Sequence, residues 1–190
     1  METYRPFGIR PAYSQAGIIR PGALATIESG YNTNIFQGYP VVIATTGFMT
    51  AVAAGDDNLW NGVFSGVEFT DAEGRRRYSN RWLAGTVATD IRAYYTADDV
   101  NMVFEIQADD TLDIDAIGEQ FPFTTLSGST VIGMATNGLD ASAPVGAADQ
   151  SQLRVIGLRP APDNAWADAF PVLLVQNAAH PWVARVNVQA

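Results

Sequence analysis

The chain has 190 residues, nearly half of them apolar and few of them charged, which is the composition of one ordered domain with a sizeable core and excludes intrinsic disorder. Its 20 acidic and 11 basic residues leave a net charge of −9, which disfavours nucleic acid as a partner because phosphate repels an acidic surface at long range. Cysteine is absent and His180 is the single histidine, so disulfides and thiolate chemistry are excluded and little remains to build a zinc site.

No apolar run is long enough to cross a bilayer, and the first residues lack a basic-then-apolar signal pattern; a soluble, cytoplasmically made protein with no membrane partner is expected. Every basic residue is arginine. The planar guanidinium fork pairs with carboxylates and stacks on aromatics, so the bias fits interface use, although codon preference explains it equally well.

In chain order, residues 1–22 come first and carry Pro6, Pro11 and Pro21 with Gly8, Gly17 and Gly22 between them, a spacing that predicts an extended arm or edge strand. Residues 23–190 read as a single β-rich domain. Between Gly30 and Gly38 lies a Tyr/Asn/Phe-rich segment that predicts a structured loop, with Tyr31, Ile35 and Phe36 offered for contact without charge. Val41 to Thr45 is the first predicted strand, ended by Thr46-Gly47. Gly62 to Thr70 alternates Val63, Val67 and Phe69 with Phe64, Glu68 and Thr70, turns at Asp71-Ala72-Glu73-Gly74 and returns through Leu83 as a hairpin. A second hairpin is predicted from Val87 to Tyr95 and back through Val100 to Ala108, with Val100, Met102, Phe104, Ile106 and Ala108 on a core face. Thr111 to Gln120 predicts a helical turn with Asp113 as N-cap, stopped before Pro122. Thr130 to Ala135, Leu153 to Leu158, Val172 to Gln176 and Val183 to Val188 complete the strands. The fold class is mainly β, an antiparallel sandwich or barrel with an extended N-terminal arm and at most one or two short helical turns.

Four constellations could carry function. The acids Asp109, Asp110, Asp113, Asp115 and Glu119 could gather calcium, but they lack the EF-hand spacing, and a strand end running into a capped turn accounts for them. Arg75, Arg76, Arg77 and Arg81 form the basic concentration; by alternation Arg75, Arg77 and Arg81 share one face and Arg76 points with Tyr78 and Trp82. Docking on an acidic protein surface is favoured over nucleic-acid binding there. His180 has no Gly-x-Ser-x-Gly elbow to serve and reads as a loop hydrogen-bonder or pH-sensitive interface residue. Trp60, Trp82, Trp166 and Trp182 could form a platform for sugar rings, with core or interface roles as the default. No catalytic residue, metal or cofactor is expected.

Pro6-Phe7-Gly8-Ile9-Arg10-Pro11, the block from Ser29 to Val41, the hairpin Gly62 to Asp71 and Asn177 to His180 resemble, in order and over nearly the whole chain, the tailed-phage capsid decoration (cement) proteins. One departure is Tyr39, which stands where an acidic residue is expected before Pro40. The resemblance implies a non-enzymatic virion protein, made in the host cytoplasm, that binds the outer surface of the assembled head against the major capsid protein. It also implies a homo-oligomer, a trimer being favoured. The expected interface residues are Phe7, Arg10, Tyr31, Ile35, Phe36, Arg75, Arg76 and Arg77. A carbohydrate-binding β-sandwich is the alternative, and a glycosidase-type enzyme comes third, since no pair of carboxylates is singled out by spacing.

Overall fold

The computed structural model describes residues 3–14, 17, 22–54, 58–96, 100–145 and 150–182. It is mainly β and antiparallel. A five-stranded sheet runs in the order β1 (Arg10–Tyr13), β10 (Val103–Gln107), β13 (Val172–Asn177), β12 (Leu153–Leu158) and β11 (Gln120–Phe121). A six-stranded sheet runs β2 (Ala23–Ala25), β9 (Thr89–Thr96), β6 (Gly62–Thr70), β4 (Pro40–Ile43) and β5 (Met49–Ala51), with β7 (Arg76–Ser79) also paired to β6. A short ribbon joins β3 (Ile35–Phe36) to β8 (Arg81–Trp82).

Each large sheet buries its own apolar cluster. Trp60, Phe104, Ile106, Leu153, Leu173 and Val175 belong to one, and Ile35, Val41, Phe64, Trp82, Ala93 and Tyr95 to the other. The division explains why the second predicted hairpin does not form. β9 turns Ala93 and Tyr95 into one cluster, whereas β10 turns Phe104 and Ile106 into the other, so the two strands pair in different sheets. Val100 lies exposed, and the turn residues 97–99 fall outside the described residues.

The first hairpin forms as expected, with Thr70 opposite Arg76 and Val67 opposite Ser79, closed by Gly74 N–H to Asp71 O at 3.0 Å. Its alternation is broken by a bulge: Phe64 opposes Tyr95 and Gly66 opposes Tyr94, leaving Ser65 as the extra residue. Phe64 and Val67, of opposite parity in sequence, therefore enter the same cluster, while Val63 joins the other. At Asn80 the chain bends away from β6 and β8 crosses to β3, which buries Trp82 and separates it from Tyr78.

Residues 3–14 are extended, but they run against their own domain. β1 is an edge strand on β10, Ile9 is fully buried, and Ile9 N–H donates to Gly38 O at 3.0 Å. Gly8 sits at positive φ, and a Cβ there would come within 2.7 Å of Ala135 Cβ and 2.8 Å of Gly38 O, so the two chain segments approach as closely as two backbones can.

The helical turn is a 3-10 turn at Ile114–Ala116; Asp113 occupies the cap position, its backbone carbonyl accepting Ala116 N–H at 3.1 Å and its side chain making no cap bond. Thr130 to Ala135 is a turn with isolated bridges and no strand, because Ser129 bonds the loop to itself through Gly133 N–H and Met134 O. Val183 to Val188 lies outside the described residues.

Candidate binding groove

The expected interface residues divide sharply by burial. Ile35 is 0% and Phe36 3% exposed, both inside the six-stranded cluster, with Phe36 edge-on to Tyr39 at 5.4 Å. They are core residues, which corrects the expectation of a contact loop: pairing of β3 with β8 turns their side chains inward. Tyr31 is half-buried, and its phenol oxygen accepts Ala51 N–H at 3.1 Å, a bond that holds the loop to β5. Tyr39 is buried too, and burial pushes its phenol up to about 12, so this position before Pro40 is interior.

Phe7 and Arg10 stay at the surface, with the Arg10 guanidinium carbon 4.1 Å from the Phe7 ring centroid. They line a recess of about 130 Å³ that Gln37 and Ser65 also line. The same Gln37 and Ser65 line a larger groove of about 550 Å³ over Gly66, walled by Tyr78, Asn80 and Tyr94. Three strands build that groove through their register. Glu68 of β6 stands opposite Tyr78 of β7 and Arg92 of β9, and Gly66 stands opposite Tyr94. Gly66 supplies the hollow, since a Cβ there would reach within 3.1 Å of Ser79 O.

Glu68 is the electrostatic centre of this face. Its Oε1 accepts the Tyr94 hydroxyl at 2.8 Å and lies 3.1 Å from Arg76 Nη2 and 3.6 Å from Arg92 Nη1. The Tyr94 hydrogen bond, followed by Arg76, holds its carboxyl below the ordinary range. Arg76 also donates to Asp90 O at 3.1 Å, so it braces the groove wall and does not project as a free cation. Arg75 and Arg77 close instead on Asp71 at 3.2 and 2.7 Å, and the Arg75 N–H, then Arg77, hold that carboxyl well below its usual range. Arg81 departs from both and donates to Val131 O at 3.1 Å. The expected common face of Arg75, Arg77 and Arg81 is therefore absent, because β7 ends at the Asn80 bend.

The remaining constellations resolve into structural roles. Asp109 accepts Ala141 N–H at 2.8 Å and Asp110 accepts Thr111 N–H at 2.7 Å; among the described residues no three acids or histidines converge as a metal site. His180 Nδ1 accepts Trp182 N–H at 3.2 Å, and burial lowers its pKa. Trp60 and Trp82 are core residues and Trp166 packs against the first cluster, so no tryptophan platform joins them; Trp182 is exposed beside His180.

Glu68, Tyr94, Gln37 and Asn80 were not singled out by sequence reasoning as site residues. Alternation within β6 and β7 is legible, but the register that sets Glu68 between Tyr78 and Arg92 is a property of strand pairing. No family model matches the chain, and neither a curated protein nor a solved structure does.

Proposed function

We propose that this chain is a capsid decoration protein that binds the outside of an assembled tailed-phage head, contacts the major capsid protein and acts without catalysis as a homo-oligomer, a trimer being favoured. One observation carries the reading: the sequence blocks that resemble the decoration family lie far apart in the chain and adjoin in space. Gly8 and Ile9 of the first block pack on Gly38 of the second, and Pro40 and Val41 of the second pair with Val63 and Gly62 of the third. Asn177 of the fourth donates to Trp60 O, beside the start of the third. The resemblance thus falls on the joints of the fold, where residue identity is constrained by packing, and that supports the reading.

The mechanism is mass action. A protein that binds the assembled shell and not its separated subunits shifts the assembly equilibrium by the logarithm of its saturation. Of the expected interface residues, Phe7, Arg10, Arg75 and Arg77 reach the surface; the Arg10 guanidinium suits a carboxylate on a partner, whereas Arg75 and Arg77 are already paired with Asp71. The test is cosedimentation with heads of the phage that encodes the chain, prepared with this gene deleted. Saturable attachment at a fixed copy number, with a rise in the temperature at which the heads rupture, is expected. Protein left wholly in the supernatant at saturating concentration would sink the reading.

A further inference from the structure

We propose that the groove over Gly66 is a saccharide-binding site, with Tyr78 as the stacking platform and the amide of Gln37 among its hydrogen-bonding groups. This goes beyond shell attachment and does not depend on it.

The volume, about 550 Å³, lies within the roughly 300–1,000 Å³ of small-molecule sites. Its shape favours a sugar over a protein side chain. An aromatic anchor from a partner protein needs an enclosed hole to be desolvated on all sides. This groove is a trough, and what it offers is an aromatic ring with polar groups around it. Tyr78 is 77% exposed although it lies on a paired strand. A large exposed aromatic is suited to the apolar face of a pyranose. With only two side-chain torsions, it also loses little freedom on binding.

The polar complement is equally specific. Sugar hydroxyls need donors and acceptors interleaved, and the exposed Gln37 amide supplies both from one group, with Ser65, Ser79 and Asn80 beside it. Asn80 is anchored, its Nδ2 donating to Ile132 O at 2.9 Å and its backbone carbonyl accepting Gln37 N–H at 3.0 Å, which braces the backbone that carries Gln37. The charge of Glu68 is met by Arg76, Arg92 and Tyr94, which leaves this face without the acidic excess of the whole molecule. A neutral hydroxylated ligand is the class that such a balanced, hydrogen-bonding surface accepts. Gly66 leaves the space between the two tyrosines open.

The experiment is saturation-transfer NMR on the full chain, free of any capsid, with chitotetraose, maltotetraose and cellotetraose as probes. Binding of at least one is expected, weakened about fivefold or more by Tyr78→Ala and kept by Tyr78→Phe, since the ring and not its hydroxyl stacks. Tyr13→Ala, at an exposed tyrosine of β1 that does not line the groove, serves as the control and leaves binding unchanged. Absence of transfer from all three probes overturns the proposal, as does a Tyr78→Ala protein that binds like its parent. Failure here leaves cosedimentation with heads untouched, and failure there leaves this measurement untouched.

Discussion

Phe36 shows how much depends on the direction a single side chain takes. At 3% exposure it cannot be a surface contact, and its truncation acts through the fold. Phe36→Ala is expected to cost about 3–5 kcal/mol and Ile35→Ala about 2–5 kcal/mol of unfolding free energy by urea titration. Near-parent stability with lost shell attachment would return both residues to the surface. Acid sensitivity is also a residue-scale property. Asp71 and Glu68 have folded pKa values below their unfolded ones, which lie at about 3.9 and 4.3. Their contribution to stability is therefore complete above those unfolded values and is lost as pH falls through the folded ones. His180 acts in the same sense from about pH 6.5 downward, because burial disfavours its cation. A carbon-13 titration of Asp71 should give a midpoint well below about 3.9; an ordinary midpoint would mean that the Arg75 and Arg77 contacts do not persist in solution.

At the scale of elements, the N-terminal segment takes the second of the two forms that its prolines predict, an edge strand. β1 completes an edge of the five-stranded sheet, Arg5 N–H donates to Gln107 Oε1 at 3.0 Å, and Ile9 fills the core. Deleting residues 1–14 is accordingly expected to abolish cooperative thermal unfolding, and Ile9→Ala alone to cost about 2–5 kcal/mol. A truncated chain that melts at the parent's temperature would restore the arm as a separate element. The bulge at Ser65 is what reconciles an odd spacing with one buried face. Deleting Ser65 would remove the bulge and leave Phe64 and Val67 two residues apart, still on one face, so the deletion variant is expected to fold with parental near-ultraviolet dichroism. Lost dichroism would mean that β6 needs the bend which the bulge supplies.

For the whole molecule, the two clusters and their sheets are tied together by a few crossings. Val63 reaches from β6 into the first cluster, Gln152 donates to Ala53 O at 3.1 Å, and Asn177 joins Trp60 O. Because these links connect segments distant in sequence, one cooperative unfolding transition is expected by both calorimetry and fluorescence. Two separable transitions would mean that each sheet is its own folding unit. In solution the decoration reading expects self-association, which sedimentation equilibrium measures directly; a monomer at all concentrations would count against the oligomer.

The sequence by itself determined the class of fold. Period-two apolar patterns, scarce helical periodicity and turn residues at Asp71 to Gly74 are local, and local sterics and hydrogen bonding suffice to make strands and turns of them. The strands Leu153–Leu158 and Gly62–Thr70 appear where that pattern puts them. Tertiary structure alone decided which strand pairs with which, and hence which side chains meet. β9 and β10 are neighbours in sequence yet belong to different sheets, Ile35 and Phe36 are buried where β3 pairs with β8, with Trp82 opposite Ile35, and Glu68 acquires Tyr94 and two arginines from other strands. Alternation says that a strand has an apolar face, but not against which cluster that face is buried. The partner is selected by the free energy of burying all the faces at once, a property of the assembled chain and of no segment within it.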